Sequence, residues 1–149
     1  MNEMLGNQHF MARRYYEASK EYEISYKLDP TNKSIRKKLI VCYTQLGKVN
    51  LAFELFFDLV SEDIEFIINT DPFDDDCPCF ELVEQRIYIE KYNLDTKDIL
   101  IVKGIIWLYC NYEKSLSIFQ ELESLFSNNK IRKIIKLIKE YKNTIMSIK

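Results

Sequence analysis

Slid against itself by 34 positions, the first 60 residues of this 149-residue chain fall on their own pattern: Leu5 on Leu39, His9 on Tyr43, Ala18 on Ala52 and Tyr22 on Phe56. A unit of that length holds two short helices. Such a unit cannot bury its apolar face alone and must stack on a neighbour. Three Gly and three Pro are too few for a turn-rich sandwich or barrel, and no Gly-rich loop is present to cradle a phosphate.

Helical periodicity runs through the remainder. Ile131, Ile134, Ile138, Tyr141, Ile145 and Ile148 recur at steps of three or four with lysines opposite, and Leu51, Leu55, Leu59 and Phe66 do the same in the middle. Break signals stand at Asp29-Pro30, Gly47, Asp71-Pro72, Asp95 and Asn128-Asn129. Together they predict eight helices, at about 2–13, 16–28, 33–46, 49–69, 79–92, 96–110, 113–127 and 130–147.

The run Leu5-Gly6-Asn7, followed by Ala18, Tyr22 and Leu28-Asp29-Pro30, resembles the tetratricopeptide repeat family in register and without a gap. The physical logic is plain: a small residue lets two helices approach, an aromatic ring fills the space, and proline stops the second helix. The resemblance implies an all-α fold, a short right-handed α-solenoid of helix hairpins. Repeat one spans about 2–32 and repeat two about 33–63, with Ile40 at the small-residue position. An acidic insert with an extra helix follows at about 64–95. A degenerate third repeat covers about 96–128, where Tyr112, Ser115 and Phe119 take the places of Tyr15, Ala18 and Tyr22, and a basic capping helix closes the chain at about 130–147. An alternative pairing joins 79–92 to 96–110 and 113–127 to 130–147.

In that family the first helix of each repeat lines a concave groove that receives a peptide or partner segment. Carried over position by position, the resemblance implies Glu3, Asn7, Phe10 and Met11 from repeat one. From repeat two come Ser34, Lys37, Val41, Thr44 and Gln45, and from the third Leu100, Gly104, Trp107 and Leu108. Of the set with which some members grip a C-terminal carboxylate only Asn7 matches, and Glu3 stands where a lysine is needed.

Charge is unevenly placed. Residues 1–60 carry 9 basic and 7 acidic side chains, residues 61–98 carry 3 and 12, and residues 99–149 carry 9 and 4. An acidic middle and a basic end are expected to attract each other within the fold. The net charge of −2 gives no reason to expect nucleic acid as a partner. No stretch approaches the roughly 18 apolar residues of a membrane span. Glu3 stands where a signal peptide carries positive charge, and four cysteines are too few for a disulfide scaffold, so the chain reads as cytoplasmic with reduced thiols.

The chemistry-bearing residues are sparse. Cys77-Pro78-Cys79 beside Asp74, Asp75 and Asp76 offers one C-x-C hook without a local His, and the carboxylates miss the spacing of a calcium loop. A helix N-terminus at Pro78 favours a thiolate there, whereas the three aspartates oppose it. The only His, His9, occupies a core-aromatic position of the first repeat, leaving a nucleophile without a base. These features lead to a non-catalytic adaptor or scaffold that binds a protein or peptide and needs no cofactor or metal. A thiol- or metal-dependent module at Cys77–Cys79 and a self-assembling helical-repeat protein are the alternatives.

Overall fold

The computed structural model describes residues 2–71 and 92–148. Among them are seven helices and no strand: α1 (Asn2–Met11), α2 (Tyr15–Leu28), α3 (Lys33–Gln45), α4 (Val49–Ile68), α5 (Thr96–Cys110), α6 (Tyr112–Leu125) and α7 (Asn129–Ile148). Tyr92 apart, the helix expected at 79–92 lies outside the described residues, as do Cys77, Pro78 and Cys79.

Short polar side chains start four of these helices. The side-chain oxygens of Asn32, Asp95, Asn111 and Asn128 accept hydrogen bonds from first-turn amides of α3, α5, α6 and α7, which would otherwise lack a partner. The first helix ends two residues short of the expected bound because Arg13 takes a left-handed backbone (φ 62°). Arg14 N then donates to His9 O and Arg13 N to Phe10 O, which closes the helix end. Gly47, 34 residues on, repeats this turn with φ 73° and the bonds Lys48 N to Tyr43 O and Gly47 N to Thr44 O. The junction between α5 and α6 is different: Asn111 alone, in extended backbone, ends one helix and caps the next.

The small-residue and aromatic positions meet in the core. Ala18, Tyr22, Ala52, Phe56, Ser115 and Phe119 are all fully buried. A Cβ added to Gly6 would lie 2.7 Å from the Tyr22 ring, and one added to Gly104 would lie 2.8 Å from that of Phe119. Both glycines therefore serve close approach of the two helices of a hairpin. The Ser115 hydroxyl donates to Gly104 O at 2.7 Å across the second of these contacts.

Helix directions follow from contacts at the ends. The first four helices are joined by links of three or four residues, and each packs on the next in antiparallel succession. Lys33 and Arg36, at the start of α3, pair with Asp63 and Glu62 near the end of α4. Asn50, Phe53 and Glu54 from the start of α4 share a cleft with Lys97 and Ile101 from the start of α5 and Lys130 and Ile131 from the start of α7. At the other end, the Tyr109 hydroxyl of α5 donates to Lys37 O of α3 at 2.7 Å. Helices α4, α5 and α7 thus run in one direction, and α5 runs opposite to α3. In an unbroken stack of like hairpins, α5 would run parallel to α3. The α5–α6 hairpin runs the other way, and Phe119 stacks on Phe56 with ring centroids 5.9 Å apart.

Helix α7 lays Ile131, Ile134, Ile135 and Ile138 against α4 and α6. Beyond that point its stripe leaves the core, and Ile148 is exposed. Among the described residues, two ion pairs tie α7 to other helices, while six of the twelve acidic side chains of 61–98 lie outside the described residues. Lys130 meets Glu54 at 2.6 Å and Lys142 meets Glu113 at 3.9 Å, and neither carboxylate belongs to the acidic stretch 61–98. In that stretch Glu62 and Asp63 pair with Arg36 and Lys33, where an extended residue at Asp63 interrupts α4 beside the start of α3.

Candidate functional site

Helix α3 is enclosed on every side, with Ile35 through Thr44 buried apart from Lys38. It packs on α1, α2 and α4 and receives the Tyr109 bond from α5. That enclosure decides much of the expected groove. Val41 and Thr44 are in the core, and the Thr44 hydroxyl turns back to Val41 O at 2.7 Å. Lys37 is also buried, its ammonium 5.0 Å above the Phe66 ring.

Phe10 is buried edge-on against Tyr15 and Tyr22. Leu100, Gly104 and Leu108 are buried in α5. These seven positions, Phe10, Lys37, Val41, Thr44, Leu100, Gly104 and Leu108, face neighbouring helices and offer no free side chain to a partner. Met11 is exposed, and Glu3, Asn7, Ser34, Gln45 and Trp107 are half-buried.

Asn7 is already engaged. Its side-chain oxygen accepts from the Tyr22 hydroxyl at 2.6 Å and from Lys38 Nζ at 3.2 Å, tying three helices together. Its first role is therefore structural. Gln45 donates to the Thr44 hydroxyl at 3.3 Å, and Lys114 Nζ sits 4.4 Å from the centre of the Trp107 ring. Beside Asn7, the exposed positions of α1 are Met4, Leu5, Gln8 and Met11, none of them charged.

His9 departs from the core position expected of it: it is half-buried, and its Nδ1 accepts from Arg14 Nε at 3.1 Å. Tyr43, its counterpart, is the buried member of the pair and donates to Glu23 at 2.8 Å. Burial and the Glu23 carboxylate push the Tyr43 phenol above its ordinary range, so it stays protonated and remains a donor. Burial likewise raises the Cys42 thiol, which disfavours its thiolate form.

Among the described residues, no three His, Cys, Asp or Glu side chains gather in a way that could hold a metal ion. No described helix is long and apolar enough to cross a membrane. No family model matches the chain, and no curated protein matches it.

What the described surface presents is a set of half-buried polar and apolar side chains on helices held rigidly from behind. The lysine–aromatic contacts on α5 and α6 escaped the sequence reading. The Trp107 contact comes from a lysine seven residues later, across the turn, which needs the hairpin geometry to be recognised.

Proposed function

We propose that this chain is a non-catalytic, cytoplasmic adaptor or scaffold of the tetratricopeptide-like kind. In this reading α1 to α4 form a short right-handed solenoid, and the chain binds a protein or peptide partner. The observation that carries the reading is the recurring clasp of small residue and aromatic ring: Ala18 with Tyr22, Ala52 with Phe56, and Ser115 with Phe119, all fully buried. The identical turns at Arg13 and Gly47 support it further, since they give the first two hairpins the same geometry. Stacked hairpins of this kind present an extended binding surface, to which only the first-helix side chains that are not enclosed can contribute here.

The partner surface in this reading is narrower than the full set of first-helix positions. It comprises Met11 and Asn7 of α1, Ser34 and Gln45 of α3, and Trp107 of α5. The test is affinity capture with the wild-type chain and with the double variant Met11→Glu, Gln45→Glu, followed by reconstitution of any captured protein with purified components. The reading expects a partner that binds the wild type directly and is lost by the variant while the variant's thermal unfolding is unchanged. Equal retention by a folded variant removes these residues from the site.

A further inference from the structure

Helix α1 differs from the other described helices in what it leaves exposed. Met4, Leu5, Gln8 and Met11 are exposed on it, and Ala12, whose amide still donates to Gln8 O at 3.2 Å, extends the row. On the 3.6-residue period these five share one face, opposite the side on which Gly6 meets the Tyr22 ring of α2. None of them is charged. Every other described helix with exposed positions carries charge there: Glu17 on α2, Glu54 on α4, Lys97 on α5, Glu113 on α6 and Lys133 on α7.

The 34-residue offset indicates the contact for which this face is shaped. Met4, Leu5 and Gln8 correspond to Lys38, Leu39 and Cys42 of α3. There the same positions meet the preceding hairpin. Lys38 Nζ donates to Asn7 at 3.2 Å, Leu39 shares a cleft with Tyr26, and Cys42 is fully buried within reach of the Glu23 charge. The face on α1 is thus a helix-packing surface with no helix on it.

A whole hairpin is a poor occupant. Where α2 sits on α3, Leu51 and Leu55 complete the apolar cleft with Tyr26, Leu39 and Tyr43. Their counterparts 34 residues earlier are Glu17 and Glu21, and that of Tyr43 is His9. A unit seated in the same way would press carboxylates against apolar groups, which is costly. A single helix along the outer side of α1 avoids them.

The order of residues identifies that helix. About Gln8 the row is two-fold symmetric: Leu5 and Met11 stand three residues to either side, and Met4 and Ala12 stand four. An antiparallel copy of α1 sets Gln8 against Gln8, where each amide both donates and accepts. It also sets Leu5 against Met11, and long Met4 against short Ala12, so that the two rows interdigitate. The end carrying Glu3 comes beside the end of the other copy that leads into Arg13 and Arg14, and these flanking charges attract.

We propose that α1 pairs with α1 of a second copy of this chain, antiparallel and about a two-fold axis at Gln8. A 10-residue helix is about 15 Å long, so the patch is far smaller than the ~800 Å² per partner of a stable interface. The pairing is therefore transient, with a dissociation constant on the order of 0.1–1 mM.

Sedimentation equilibrium of the full chain from about 20 µM to about 1 mM tests it, and the average mass is expected to rise toward that of a dimer. Leu5→Glu and Met11→Lys should each abolish the rise, because each sets a charge against an apolar side chain. Both residues are exposed, so thermal unfolding should be unchanged. Mixed in equal amounts, the two variants should associate again, since the new charges then face each other across the pair.

A wild type that stays monomeric throughout overturns the assignment. So does a folded Leu5→Glu variant that associates like the wild type, a mixture that stays as monomeric as either variant alone, or a mass that climbs past the dimer. The capture experiment does not vary Leu5, so failure of that reading leaves this one standing.

Discussion

Replacing Phe119 by Ala is expected to cost about 3–5 kcal/mol of folding stability, read as a lowered denaturation midpoint with little change in slope. The ring is fully buried, fills the space left open by Gly104, and stacks on Phe56 across the interface between the second and third hairpins. Phe56→Ala removes the other half of that stack and should cost a similar amount. Because each ring loses its partner when the other is cut, the double variant should cost less than the two singles combined. The difference should be about 0.5–1.5 kcal/mol, the usual worth of an aromatic pair. Additive losses would mean that the rings stabilise their own hairpins without joining them.

The second large effect belongs to the first hairpin. Tyr22→Ala should also cost about 3–5 kcal/mol, because Gly6 opposite it has no side chain with which to fill the void. Tyr22→Phe separates the ring from its hydroxyl. The ring packing survives, and the loss should be near 1 kcal/mol for the bond to Asn7, which retains Lys38 as a donor. A Phe variant as unstable as the Ala variant would show that the Asn7 network, and not the ring, holds the first three helices together. Urea titrations of the three proteins decide between them.

Much of the helical order was legible because it rests on local rules. The 3.6-residue apolar period marks a helix, and short polar caps or a left-handed turn end one, so Asp29, Gly47, Asp95 and Asn128 all stand at helix boundaries. Arg13 was not legible as a terminator, since an arginine rarely adopts positive φ, although its counterpart Gly47 pointed to the turn.

The direction of α5 was hidden for another reason. Periodicity identifies which face of a helix is apolar but carries no information on whether that helix runs with or against a distant neighbour. The same gap affected the candidate site. Val41, Thr44 and Leu108 sit on helices whose exposed and buried faces depend on Tyr109 and α5 closing over α3, a contact 72 residues apart in sequence. Trp107 and Lys114 come together only because α5 and α6 form a tight antiparallel hairpin around Gly104.

The direction of the α5–α6 hairpin governs which faces can meet a partner at all, and a single distance tests it. Asn50 and Lys97 are exposed at the starts of α4 and α5 and line the same cleft. Spin labels at these two positions, in a background from which the four native cysteines have been removed, report their separation by pulsed electron resonance. The account predicts a separation under about 20 Å, since parallel helices bring both starts to one end. A separation of about 30 Å, the length of a 20-residue helix, would place the starts at opposite ends and contradict it.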